Sequence, residues 1–333
     1  MQRGLAPDAS PALDRVLLAA APGRERGVLR VYDLAGTVLS LGRYHLMPAA
    51  RAPDVALQRR LSGGRVAAAG TGFVGVALVL PHRAALVAEE PSALAPEQVI
   101  NRCVRGVLEG LQLLGVGAFY PGRDALTVGG RTMGLCGFEV DAAGACIFEV
   151  ILGVGRDLSV LPALLDAADP AGVVPASIVT AADATSVGRE SGHVPATEEL
   201  ADALRRGYES RMGVRCEESA SPTPATSPDP AWLAQRRVRP ELDRRARVTG
   251  QLGALEVHCR RDGDRLGEVM LSGDFFASSP AVERLEEALR GALAEEGAIR
   301  ALVERAFASP DAFLLGFGSL DVLADTIVHA AGP

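Results

Sequence analysis

At 333 residues with a net charge of −7, the chain is long enough for about two domains. It is too acidic for non-specific contact with nucleic acid or an anionic membrane, which needs a cationic surface. Hydrophobic residues are 48% and charged residues 23%, an ordinary globular balance with material for a core in each domain. All 34 basic side chains are arginine, so any mechanism that needs a protein lysine is excluded.

The N-terminal stretch Met1–Ala21 is apolar only from Val16 to Ala21 and carries Asp8 and Asp14 before that run, so it does not read as a signal peptide. No window is long and apolar enough to span a bilayer. Val28–Tyr32 and Thr37–Leu41 read as strands separated by the turn Asp33–Gly36. Phe73–Leu80 (FVGVALVL) is a continuous apolar strand expected to be buried on both faces. Pro96–Leu114 has helical spacing through Val99, Ile100, Cys103, Val104, Val107, Leu108 and Leu111. Ala125–Val128 and Arg131–Val140 read as strands around Gly129-Gly130, and Ile147–Val154 as a third. Glu198–Met212 is a helix with Thr197 as its expected N-cap.

The segment from Glu217 to Pro230, EESASPTPATSPDP, holds four prolines and reads as a semi-extended linker. The expected organisation is a first domain over 1–216, a linker over 217–235 and a smaller domain over 236–333. In the second domain, Gly253–Cys259 and Leu266–Leu271 are strands flanking the turn Asp262-Gly263-Asp264. Helices are expected at Ala281–Ala294, Ala298–Ala306 and Leu320–His329. Arg236–Arg247 reads as a solvated helix face or a lead-in strand. The element order predicts two α+β units with mixed or antiparallel sheets and packed helices.

The stretch QRRLSGGRVAAAGTG, Gln58 to Gly72, carries the chemistry most open to interpretation. Arginines beside a glycine turn suit a phosphate or carboxylate, because the backbone can approach closely and guanidinium forks match oxyanions. A tight turn with a solvated arginine pair has the same sequence signature. The five histidines, His45, His82, His193, His258 and His329, are scattered, and no cysteine–histidine spacing suggests a metal. The five cysteines, Cys103, Cys136, Cys146, Cys216 and Cys259, form no CxxC pair and are odd in number, so reduced thiols in the cytoplasm are the expectation.

Taken in order, three segments resemble the lipoate–protein ligase family. They are Ser40-Leu41-Gly42-Arg43-Tyr44-His45, then Arg59-Arg60-Leu61-Ser62-Gly63-Gly64-Arg65, then GRDALTVGGRTMGLCGFEV from Gly122 to Val140. The run from Gly253 onward, with Gly273-Asp274-Phe275-Phe276, is similar to the family's C-terminal accessory domain. The resemblance implies a catalytic domain of the kind shared with biotin protein ligases. It implies ATP and Mg²⁺ as cofactors, with lipoate or octanoate activated to an acyl-adenylate and passed to a lysine of a lipoyl domain. By the same resemblance Ser62, Gly63 and Gly64 line the acyl tunnel, with Val66, Phe73, Val76 and Leu78 as its apolar walls. Arg59 and Arg60 face the adenylate phosphate or its surroundings, and Gly130 lies in the second ligand segment.

Several family positions are altered. The family's catalytic lysine falls on Thr132, and its Asn-Asp pair falls on Asp124 and Ala125. Its two histidines fall on Ala69 and Phe148. Loss of one charged contact to a developing anion typically costs ~3 kcal/mol, about a hundredfold in rate. Arg65 is the best placed candidate to replace the cation, since Arg131 points to the opposite face of its strand. The octanoyltransferase cysteine position falls on Pro170-Ala171-Gly172. Three readings stay open: a ligase with weakened or lost activity, a non-catalytic acyl- or protein-binding descendant, and an acyltransferase using Cys136 or Cys146.

Overall fold

The computed structural model describes residues 1–48, 51–86, 95–165, 179–219 and 229–332. The chain opens with β1 (Gln2–Leu5), α1 (Ala9–Ala20), β2 (Val28–Leu34), β3 (Thr37–Leu41), β4 (Val55–Arg59), β5 (Ala67–Gly70) and β6 (Phe73–Leu80). Helix α2 (Pro96–Leu113) follows, then β7 (Ala125–Val128), β8 (Arg131–Val140) and β9 (Cys146–Gly153). Helices α3 (Leu161–Leu164), α4 (Val187–Ser191) and α5 (Thr197–Met212) complete the first unit. The second begins after α6 (Pro230–Ala234). It holds β10 (Arg244–Thr249), β11 (Ala254–Asp262), β12 (Arg265–Gly273), β13 (Phe276–Ala277), α7 (Ser279–Leu289), α8 (Glu296–Ala306), β14 (Leu314–Leu315) and α9 (Leu320–Ala331).

The fold is α+β. A six-stranded sheet of order β1-β2-β6-β9-β8-β7 is antiparallel except for the β1–β2 pair. A smaller sheet, β4-β3-β5, mixes one parallel and one antiparallel pair. The second unit has the antiparallel meander β10-β11-β12, with α7 and α9 packed against it.

Strand β6 divides the first unit, because alternate side chains of a strand point to opposite faces. Val74, Val76, Leu78 and Leu80 join the core formed with Val99, Ile100, Val104, Val107 and Leu111 of α2 and Leu200, Leu204 and Tyr208 of α5. Phe73, Ala77 and Val79 join a second core with Leu17 of α1, Leu39 and Leu41 of β3, and the alanines of β5. The four residues expected to wall one tunnel therefore separate: Val66 and Phe73 lie in the second core, Val76 and Leu78 in the first.

Three other expectations are corrected locally. Thr197 is the first residue of α5 rather than its cap. Ala196 is the cap, and Thr197 Oγ1 donates to Asp33 Oδ2 at 3.2 Å. Helix α7 starts two residues earlier than expected and stops at Leu289. Gly291 at φ +76° turns the chain there, and Ala294 N–H then bonds back to Asp264 O. The segment over 217–235 is not linker throughout. Asp229 accepts the N–H groups of Ala231 and Trp232 and so caps α6. Linker residues 220–228 and the Pro170-Ala171-Gly172 position lie outside the described residues.

Candidate functional site

The Ser-Gly-Gly turn sits between β4 and β5, against β8 and the second unit. Its backbone donors are all engaged within the protein. Ser62 N–H bonds Glu149 Oε2 (3.0 Å), Gly63 N–H bonds Phe138 O (3.3 Å), and Gly64 N–H bonds Phe275 O (2.9 Å). A Cβ at Gly63 would stand 2.2 Å from Phe275 O. One at Gly64, whose φ is +103°, would stand 2.7 Å from the Phe276 ring. The two glycines thus admit the Phe275-Phe276 segment of the accessory unit into van der Waals contact with the first unit. Tyr44 stacks on Phe275 at 4.5 Å and Gly273 N–H bonds Tyr44 O, which extends the same seam.

Arg59 and Arg60 are buried and face carbonyl oxygens. Arg59 Nη1 donates to the carbonyls of Gly42 (2.9 Å), Arg43 (3.1 Å) and His45 (2.5 Å), and its Nε donates to Leu233 O (3.0 Å). Burial, reinforced by Arg236, Arg43 and Arg60, brings its pKa down to about 9, so it keeps its charge at neutral pH. Arg60 donates to Ser40 O (2.9 Å) and Arg65 O (2.8 Å), and burial lowers its pKa against the pull of Glu149. The two guanidiniums tie loops together, where the resemblance had them facing a phosphate.

Arg65 forms a bidentate pair with Asp124, Nε to Oδ2 at 2.5 Å and Nη2 to Oδ1 at 3.0 Å. Burial works against its charge, but Asp124 and then Asp274 of the accessory unit outweigh it and hold the guanidinium above its ordinary range. His45 Nε2 lies 3.6 Å from Asp274 Oδ1. Burial lowers the His45 pKa, and its Nδ1–H donates to Leu46 O (2.7 Å). Asp274 is a member of this group that sequence reasoning quoted only as a marker of the accessory domain.

Thr132 has other partners. Its N–H bonds Asp183 O (2.6 Å) and its carbonyl accepts from Thr185 N–H (2.9 Å), so the 183–185 segment covers it. The Ser62 hydroxyl abuts Gly137, five residues further along β8, and Asp124 O accepts from Cys136 N–H, four residues along. At about 3.3 Å per strand residue, Cys136 and Gly137, which touch Asp124 and the turn, lie roughly 13–17 Å along β8 from Thr132. The neighbouring Arg131 is paired with Glu190 at 2.8 Å. Gly130 occupies the exposed β7–β8 turn at φ +82°. Phe73 borders an enclosed cavity of about 10 Å³ with Tyr32, Gln58 and Ile151, which is room for a single water. A larger open groove of about 360 Å³ lies on the accessory unit between Arg260, Arg265 and Arg290.

Cys136 and Cys146 are buried, and burial pushes both thiols up, so neither is poised as a nucleophile. Among the described residues, no group of three or more His, Cys, Asp or Glu is placed to hold a metal ion. No helix among them is long and apolar enough to cross a membrane.

This architecture, with two sheets, paired α2 and α5 helices and an accessory α+β unit, is the fold of the lipoate–protein ligases. The chain superposes on LipL1 of P. falciparum in complex with lipoate at a TM-score of 0.72 and 11% identity, covering 98% of both chains. A bipartite lipoate protein ligase of T. acidophilum, solved in a study of that ligase and its E2 lipoyl domain, gives a TM-score of 0.54 at 15% identity. It covers 72% of this chain and 97% of that one. Lipoate-protein ligase A bound with ATP gives 0.50 at 18% identity, over 66% and 89% of the two chains. No family model matches the sequence, and no curated protein does.

Proposed function

We propose that this chain is a lipoate–protein ligase homologue that acts by binding a lipoyl-type domain, its acyl-adenylate chemistry weakened or lost. The carrying observation is the charge around Arg65. Its guanidinium fork is taken up by Asp124, with Asp274 also pulling on its charge, so it is not offered to a mixed anhydride, which requires a cation. The ligase resemblance implies ATP, Mg²⁺ and lipoate or octanoate as reactants. The residues present do not suit an adenylate. The Gly-Gly N–H groups bond carbonyls, Arg59 and Arg60 are tied to loops, and Thr132 brings no charge. No catalytic step through an adenylate follows from this geometry.

A protein partner is favoured over an acyl ligand because the cavity beside Phe73 is about 10 Å³, room for one water and not for an acyl chain. The T. acidophilum ligase of the same fold works with an E2 lipoyl domain, which is the class of partner proposed here. All five cysteines are unpaired, which suits the reducing cytoplasm as the site of action. The test is to incubate the purified protein with ATP, Mg²⁺, lipoate and an apo lipoyl domain, then weigh the acceptor by mass spectrometry and measure its binding by calorimetry. Binding without a mass gain is the expected result. A lipoylated acceptor would show that turnover survives, and absence of both would remove the partner.

A further inference from the structure

Helix α7 of the accessory unit is gripped along one face at three successive turns. Ser279 N–H donates to Glu139 Oε1 of β8 at 2.7 Å, Glu283 pairs with Arg43 at 3.1 Å, and Glu286 takes the Arg236 fork at 2.5 and 3.1 Å. The spacing 279, 283, 286 puts all three on one helical stripe. Arg236 comes from the segment after the linker, and Arg43 and Glu139 from the first unit.

Glu139 differs from the other two grips. It is fully buried, while Glu283 is 64% exposed. Its Oε2 has no partner among the described residues, nor has Ser278 Oγ beside the start of α7. The titratable and charged groups that bear on it are Arg43 and Tyr44 from the loop after β3 and Glu283 from α7. Arg43 is bonded to Glu283 and acts on Glu139 only through its charge, and the buried Glu139 has an oxygen without a donor. Both features favour the neutral acid.

We propose that Glu139 is a proton-operated latch between the two units: as a neutral acid it holds the first turn of α7, and on ionising it loosens that turn. In the gripped state burial pushes the carboxyl up to about 7, with Arg43 and the Ser279 donors pulling the other way. In a loosened state the group reaches water and returns to its ordinary 4.5. The gripped state binds the proton more tightly, so the grip is strongest below pH 4.5, weakens as pH rises to about 7, and is constant above. At tenfold per unit, the loss reaches up to about three hundredfold.

Hydrogen exchange of the full chain between pH 4.5 and 8, corrected for intrinsic exchange rates, tests this on the amides of Ser278–Leu289. Wild-type protection is expected to fall through that window. Glu139→Gln keeps an acceptor for Ser279 N–H without a charge, and should stay protected at every pH. Glu139→Ala should be poorly protected throughout. A carbon-13 titration of the wild-type Glu139 carboxyl should show a midpoint near 7, which decides the matter even if a variant fails to fold. A Glu139→Gln profile that follows the wild type, or a midpoint near 4.5, would overturn the latch.

Discussion

Arg65 and Asp124 lie 59 residues apart in the chain and meet as a buried bidentate pair with side chains 13% and 3% exposed. A charge so enclosed has few ways to relax. Removing one partner strands the other in a low-dielectric site, which typically destabilises by about 3–5 kcal/mol. Arg65→Ala should therefore lower the unfolding free energy from urea titration by that order, and Asp124→Asn in the same background should recover part of the loss. If Arg65→Ala were neutral, the pair would be solvated in solution and its cation free for a ligand. The same residue shows what sequence reasoning reached and what it missed. Its charge and its place after the Gly-Gly turn were legible. Its partner was not, because Asp124 was read against the family's asparagine and not against residue 65.

Between elements, the short helix α6 clasps the end of the linker onto the first unit. Trp232 Nε1–H donates to Arg59 O at 2.9 Å, and the Arg15 and Arg43 guanidiniums lie 4.6 and 5.0 Å from its ring centre. Arg59 returns the contact by donating to Leu233 O. One hydrogen bond and two cation–π contacts are worth about 2 kcal/mol together. Trp232→Ala should free the clasp and speed limited proteolysis near residue 229 without changing the far-ultraviolet circular dichroism. Unchanged cleavage would mean that the Arg59 bonds suffice alone. Elements with strong periodicity were read correctly in type, among them β6, α2, the β7–β8 hairpin, α5 and β12. Strand β5 was not, since Ala67-Ala68-Ala69-Gly70 has weak strand propensity and is held by pairing with β3. Strand β1 depends likewise on its neighbour β2.

For the molecule as a whole, buried acids set the pH response. Burial and the nearby Asp14 carry Glu149 to about 6 against Arg60 and Ser62, and burial carries Glu139 to about 7. Both native values exceed the ordinary 4.5, so the native state holds protons that the unfolded chain releases. Stability should then fall as pH rises from 4.5 to about 7 and level off beyond. His45 works in the opposite sense, because burial keeps its ring neutral. Denaturation midpoints at pH 5 and 7.5 should show the decline, and Glu139→Gln with Glu149→Gln should flatten it. A wild-type midpoint that rises over this range would contradict the assignment.

The amino-acid sequence alone determined the absence of any lysine, the alternation that buries β6 on both faces, the helical stripes of α2 and α5, and the break in composition after residue 216. Each is a property of neighbouring residues or of composition, set by side-chain period and backbone preference. Only the tertiary structure decided that Gly63 and Gly64 seat Phe275 and Phe276, that Arg65 pairs with Asp124, and that the 183–185 segment covers Thr132. Those outcomes depend on close approach between segments up to about two hundred residues apart. Local pattern carries no record of which carbonyl or carboxylate will meet a given donor once the chain has packed.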